Sequence, residues 1–268
     1  MSNNKIPSVL VISGLDPSGG AGIQADIEAI ASHGCHPCPV VTNLTCQNTH
    51  DIQSFNPVNS AIIEQQVSAL ISDVDISAIK IGMIGSIELI YSIRDIIKTL
   101  PDIPVILDPV LSSGPGTAVS DTRYVKTLAQ ELLSLTNILT PNHLEAQMLA
   151  NVLGKKCKTP HESAQVLLAQ NTQYVFITGG HMPGEQLCNS LYQADSNPET
   201  FRWQRLPGEY HGSGCTLSAS IAGLVAQNKS AITALLEAQE YTWQSLKHAY
   251  STGSGQLMPN RLFWAQHE

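Results

Sequence analysis

Charge is scarce in this chain: Asp, Glu, Lys and Arg make up only 13% of its 268 residues, and the balance is −8 with histidine neutral. No run of Lys or Arg could neutralise a phosphate backbone, which excludes nucleic acid as the principal partner. Aromatic residues are few as well, at 5%, and Trp203, Trp243 and Trp264 stand apart in a way that suits packing better than recognition. No apolar run approaches the ~18 to 20 residues of a membrane span. The strand-like Ser8–Ile12 is too short for a signal-peptide core, so no membrane association or export is expected. The six cysteines follow no disulfide-framework spacing, which predicts a reducing cytoplasm. Cys35-His-Pro-Cys38 has no second Cys or His pair to complete a zinc site, and it precedes a strand where a redox motif would open a helix; no chemistry is expected of it.

What remains is a globular balance, 43% hydrophobic, in a chain long enough for one large domain or two small ones. Short β-branched runs alternate with amphipathic helices. Strands are expected at Ser8–Ile12, His36–Thr42, Ile79–Ile81, Val105–Leu107, Ile138-Leu139 and Tyr174–Ile177. Leu187–Tyr192 and Phe201–Leu206 read as a hairpin. Helices are expected over Ile23–Ser32, after Asn56-Pro57 (an N-cap followed by proline at the first helical position), after Ser86, around Val125–Leu132, over Pro141–Leu149, after the capping box Thr159-Pro-His-Glu162, and from about Ile232 to Tyr250. Such alternation implies an α/β fold, a mostly parallel central sheet with helices on both faces, with ligands beyond the carboxyl ends of the strands. No linker divides the chain, and one domain over 1–268 is the simpler reading.

The stretch His211-Gly-Ser-Gly-Cys215-Thr-Leu carries the sharpest signal. Leu217, Ile221, Leu224 and Val225 mark a buried helix face, so a side-chain-poor loop opens directly onto a helix N-terminus. The first N–H groups of a helix lack intrahelical partners and carry the positive end of the peptide dipoles, which suits a phosphate. Gly212 and Gly214 let a ligand approach the main chain, and at Cys215 the same field favours thiolate. An anion cradle with a proton acceptor at its edge suggests phosphoryl transfer; the competing reading is a glycine turn beside an inert cysteine.

Other candidates fall at strand ends. Gly14-Leu-Asp-Pro-Ser-Gly-Gly-Ala-Gly22 is not a P-loop, because Gly20 stands where that motif needs lysine. Its glycines can still close over a flat small molecule, with Asp16 or Asp26 bonding a hydroxyl or amine. Asp108, Asn142 and Glu145 offer hard oxygen ligands of the kind magnesium needs beside nucleotide phosphates. Taken singly, Asp26 is also a helix-surface carboxylate, Asp108 a turn residue before Pro109, and Glu145 a helix-start carboxylate. His143, His181 and His211 lie in candidate loops, and none is assigned as a base.

Together these motifs resemble the hydroxymethylpyrimidine and phosphomethylpyrimidine kinases of thiamine biosynthesis, a branch of the ribokinase-like superfamily. The resemblance runs through Gly14–Asp26, Cys46-Gln-Asn-Thr49, Lys80-Ile-Gly-Met83, Leu107-Asp-Pro-Val110, Thr140–Ala146, Gly179-Gly-His181 and His211–Ala219, in order, and is weakest around 151–173 and 183–209. It implies a three-layer ribokinase-like domain, commonly a homodimer, that uses ATP and Mg2+ to phosphorylate 4-amino-5-hydroxymethyl-2-methylpyrimidine and its monophosphate. Carried over, Gly212, Ser213 and Gly214 hold the transferred phosphoryl group and Cys215 is the base. Gln47, Asp26, Ala21 and the main chain near Thr45 face the heterocycle, Asn142, Thr178 and Gly180 the nucleotide, and Asp108 and Glu145 the metal.

Three departures stand out. Thr178 and Gln239 replace lysines that the resemblance leads one to expect near the polyphosphate, and Leu111-Ser-Ser-Gly-Pro-Gly116 replaces an Ala-Lys-Ser-Gly element. Less positive charge should weaken ATP binding or the second phosphorylation. Two other readings stay open: a pyridoxal or pyridoxine kinase, whose substrate also presents a hydroxymethyl group on a flat heterocycle, and a non-catalytic pyrimidine sensor.

Overall fold

The computed structural model describes residues 5–113, 117–118, 121–180 and 184–265. In chain order the elements are β1 (Ser8–Leu15), α1 (Gly22–Ser32), β2 (His36–Gln47), β3 (Ile52–Pro57), α2 (Ser60–Ile71), β4 (Ile76–Ile81), α3 (Ile87–Lys98) and β5 (Val105–Leu107). A short pair β6 (Ser112–Ser113) and β7 (Thr117–Ala118) follows, then α4 (Thr122–Leu132), β8 (Ile138–Leu139), α5 (His143–Val152), α6 (Pro160–Leu168) and β9 (Tyr174–Ile177). β10 (Gln186–Gln193), β11 (Glu199–Gln204), α7 (Ser213–Ala226) and α8 (Ala231–Lys247) complete it. His181 and Gly114–Gly116 of the sequence motifs lie outside the described residues.

The chain divides into two compact units, Met1–Gly85 with Asp102–Pro104 and Gly208–Glu268, and Ser86–Pro101 with Val105–Pro207. In the first, strands run in the order β3-β2-β1-β4. β1 pairs in parallel with both β2 and β4, and β3 is antiparallel to β2. β1 is buried along nearly its whole length, as a strand flanked on both sides must be. Helix α1 packs on β1, β2 and α7, and α7 packs also on β4 and α8. α7 is therefore buried almost all round, from Thr216 to Leu224 without a break; this explains why its sequence is apolar and small rather than two-faced.

In the second unit the order is β5-β8-β9-β10-β11. β5, β8 and β9 are parallel, and β9, β10 and β11 continue as an antiparallel meander with the expected hairpin. Helix α3 begins as read, with the Ser86 side chain accepting from the Leu89 N–H, and it buries Leu89, Ile90, Ile93, Ile96 and Ile97. The Thr159–Glu162 capping box is present at α6.

Two expectations are corrected. Asn56-Pro57 does not start a helix: both belong to β3, where the Asn56 N–H donates to Asn43 Oδ1. Pro57 ends an edge strand, a position that needs no ladder N–H, and the helix starts three residues later with Asn59 as its cap. The second strand runs to Gln47 rather than Thr42 because pairing with β3 extends it. Cys35 and Cys38 are buried, and burial raises both thiols above their ordinary value.

Candidate active site

In the first unit the chain turns at Gly212 into α7. Gly212 adopts φ +71, and a Cβ there would sit 2.0 Å from the Gly20 carbonyl oxygen, so the turn needs glycine twice over. The first helical bond runs from the Thr216 N–H to the Gly212 carbonyl, which leaves the N–H groups of Gly212, Ser213, Gly214 and Cys215 ahead of the helical ladder. Gly212, the N-cap, has no side chain with which to cap this end. Gly214 is exposed, and a Cβ on it would meet nothing within 4 Å. An anion fits such an open helix start. Cys215, half-buried, sits in its first turn.

The glycine loop lies against this turn, with the Ala21 Cα 2.9 Å from where a Gly212 Cβ would be. Asp16 organises the loop. Its carboxylate accepts from the Ser18 N–H (2.8 Å), the Ser18 hydroxyl (2.7 Å) and the Ala21 N–H (2.8 Å). Thr45 is buried, and its hydroxyl donates to the Leu15 carbonyl at 2.8 Å, tying β2 to the start of the same loop. Gln47 is half-buried at the end of β2, beside a bulge.

Asp26 is placed differently from Ala21. It is 0% exposed, and its carboxylate meets the ammonium of Lys80 on β4 at 2.7 Å, also fully buried. Burial raises the Asp26 carboxyl above its ordinary value, and the Lys80 charge opposes that rise. Asp26 thus lies in the interior of the unit, held against Lys80.

In the second unit, Asp108 follows β5 and Glu145 lies in the first turn of α5; both are 6% exposed. Asn142 caps α5 by accepting from the Glu145 N–H at 2.9 Å, and Glu145 Oε2 accepts from the Asn142 N–H at 2.9 Å. Glu145 Oε1 accepts from the Leu111 N–H at 3.2 Å. Burial first and the nearby charge of Asp108 second push the Glu145 carboxyl up to about 8. Two buried carboxylates that repel one another suit a divalent cation of the magnesium kind, held by one or two carboxylates with phosphate and water as the rest. Among the described residues no group of three or more His, Cys, Asp and Glu could hold a metal by itself. Thr178 bridges to Asn142, its N–H donating to the Pro141 carbonyl. Gly180 is exposed, and its carbonyl accepts from Arg205 at 2.8 Å. Gln239 is buried in α8, with its amide donating back to the Leu235 carbonyl.

The structure therefore brings Gly212–Cys215, Ala21, Thr45 and Gln47 into the first unit and Asp108, Asn142, Glu145, Thr178 and Gly180 into the second. Sequence reasoning read Asp16 as a partner for a ligand hydroxyl or amine rather than for the loop's own groups, and it missed the work of His211, Lys80, Arg205 and Arg261. Lys80 left a signal, an ammonium inside the buried run Ile79–Ile81 that demands a partner.

The fold is that of the ribokinase-like α/β kinases. A solved Bacillus subtilis pyridoxal kinase, as an ADP complex, superposes with a TM-score of 0.84 at 26% identity, over 96% of this chain and 98% of that one. A phosphomethylpyrimidine kinase from Clostridium difficile gives 0.76 at 29% identity, over 90% and 100%. The family model for phosphomethylpyrimidine kinase matches residues 16–260. The hydroxymethylpyrimidine/phosphomethylpyrimidine kinase of Haemophilus influenzae is 32% identical over 99% of this chain and 98% of its own. The chain belongs to the phosphomethylpyrimidine kinase family.

Proposed function

We propose that this protein is an ATP-dependent kinase that phosphorylates the hydroxymethyl group of 4-amino-5-hydroxymethyl-2-methylpyrimidine, and then its monophosphate, in thiamine biosynthesis. The observation that carries the reading is the open helix start at Gly212–Gly214 with Cys215 in its first turn, in a chain of this family. In this reading the two units work as one catalytic domain, the first supplying the acceptor pocket and phosphoryl turn, the second the nucleotide and metal side.

The N–H groups of Gly212, Ser213 and Gly214 stabilise charge on the transferred group, as preorganised donors do. Cys215 Sγ takes the hydroxyl proton while the alcohol oxygen forms its bond to the γ-phosphorus and the bridging P–O bond breaks to release ADP. Gln47, donor and acceptor at once, bonds the ring nitrogen and amino edge of the pyrimidine; Ala21 and the main chain at Thr45 border it. Asp26, paired with Lys80, supports the wall behind Ala21. Asn142, Thr178 and Gly180 line the nucleotide side, and Asp108 and Glu145 would hold Mg2+. There the ion would supply positive charge against the phosphates. With Thr178 and Gln239 in place of lysines, the second phosphorylation is the weaker of the two. We place the enzyme in the cytoplasm as a homodimer, on the family resemblance.

The pyridoxal kinase fold neighbour favours one second reading, turnover of pyridoxal. Mass spectrometry of reactions with ATP, Mg2+ and the aminopyrimidine alcohol, its monophosphate or pyridoxal separates the two. Phosphorylated aminopyrimidine is the expected product, and none from any acceptor would leave a sensor. Cys215→Ala should cut turnover by about 100-fold or more with little change in heterocycle binding, since a positioned base contributes ~10²–10⁴-fold; unchanged turnover removes the base assignment.

A further inference from the structure

The glycine loop and the start of α7 are separated by some two hundred residues of sequence, yet three side chains join them. Asp16 Oδ2, besides accepting from the Ala21 N–H, lies 2.8 Å from His211 Nε2, and Asp16 is 2% exposed. Burial alone would raise the Asp16 carboxyl, but the bonds from His211 and Ser18 outweigh it and hold it below its ordinary value. Arg261, also 2% exposed, reaches in from the C-terminal segment. Its Nε donates to Thr216 Oγ1 at 2.8 Å, one terminal nitrogen to Glu28 at 3.1 Å, and the other to the Gly20 carbonyl. Thr216 Oγ1 in turn donates to the Gly212 carbonyl at 2.8 Å. The carbonyls of Gly20 and Gly212 are thus both held, one directly by Arg261 and one through Thr216. The contact has no slack, because a Cβ on Gly20 would lie 2.3 Å from His211 Cδ2.

In-line transfer needs the acceptor oxygen within ~3–3.5 Å of the phosphorus, and an error near 1 Å can cost ~10²-fold. A loop that holds the acceptor and a turn that holds the phosphoryl group do not set the distance between themselves. We propose that Asp16, His211 and Arg261 form a latch that fixes the register of the acceptor loop against the phosphoryl-holding turn, acting as positioning residues that touch neither substrate. This rests on the assignment of Gly212–Cys215 to the transferred group.

The test compares His211→Phe, which removes the donor, with His211→Gln, which keeps one, and with Cys215→Ala. His211→Phe should lower kcat by about 100-fold, with KM for ATP and for the aminopyrimidine alcohol held within about threefold; His211→Gln should recover to within about tenfold of wild type. A kcat for His211→Phe within about threefold of wild type, or equal losses in the two variants, overturns the latch. If His211→Phe does not fold, Asp16→Glu keeps the charge and shifts the carboxylate by one methylene. The same fall in kcat at constant KM is then expected, and unchanged kcat overturns the proposal. Loss of turnover in Cys215→Ala with none in His211→Phe defeats the latch alone, whereas full turnover in Cys215→Ala defeats the site and the latch together.

Discussion

Lys80→Met is the most revealing perturbation of this fold. The Lys80 ammonium and the Asp26 carboxylate are 2.7 Å apart and wholly buried. With an effective dielectric constant near 20, their attraction is about 6 kcal/mol, and the cost of taking both ions out of water is of similar size. The intact pair is therefore close to neutral for stability, but half of it is not. Methionine fills the space of the lysine stem and leaves Asp26 buried without its ion-pair partner, with only the Ser13 hydroxyl and the more distant Arg261 charge beside it, a change that costs roughly 3–5 kcal/mol. At about 2–4 °C per kcal/mol for a chain of this size, the melting temperature should fall by roughly 6–20 °C.

Two controls make the reasoning refutable. The double variant Asp26→Leu/Lys80→Met removes both charges and should recover most of the loss. The deficit of Lys80→Met should also depend on pH with a definite sign. The Asp26 carboxyl is already raised above 3.8 by burial against the opposing Lys80 charge, and without that charge it rises further. In the window from 3.8 up to the folded value, the unfolded chain ionises while the folded one stays protonated, so stability is lost as pH rises. Melting curves followed by circular dichroism at pH 5 and pH 8 should show a smaller deficit at pH 5. A Lys80→Met protein that melts within about 2 °C of wild type, or a double variant as unstable as the single one, would refute the argument.

Two further predictions follow from the site. Glu145 titrates near 4.5 when unfolded and about 8 when folded, so between those values the metal-free protein loses stability as pH rises, by at most roughly 5 kcal/mol across the window. The melting temperature of wild type minus that of Glu145→Gln should fall from pH 5 to pH 8 in EDTA and flatten in excess Mg2+; a flat difference in EDTA would contradict the buried-carboxyl account. The two glycines of the turn should part company. Gly212→Ala must adopt φ +71 and displace the Gly20 carbonyl, costing roughly 2 kcal/mol or more by chemical denaturation. Gly214→Ala faces open space and should leave stability within about 0.5 kcal/mol, yet lower kcat/KM for ATP by crowding the phosphoryl group; unchanged kinetics there would count against the cradle.

What the sequence made legible, and what it hid, has a physical pattern. Helix α3 could be read because Ser86, the buried isoleucines and Pro101 are local signals that agree. Asn56-Pro57 misled because the same dipeptide suits a helix start and an edge strand, and a bond from a residue 13 positions away, Asn43, decided between them. The glycine turn into α7 was legible because its requirement is local: a left-handed residue at an open helix start leaves little choice but glycine. Arg261 was not, since its bonds reach residues 45, 233 and 241 positions away and its own neighbourhood reads only as a Gly/Pro tail.

Yet the scarcity of charge was a pointer. Of 14 Lys and Arg in the chain, Lys80 and Arg261 are buried to 2% exposure or less, and both end on the glycine loop or the helix it opens, at Asp26, Gly20 and Glu28. A loop this poor in side chains has little with which to hold itself in place. The buried cations beneath it and the Asp16 carboxylate within it supply that hold from outside its glycines, which is why a charge-poor chain concentrates its interior charge here.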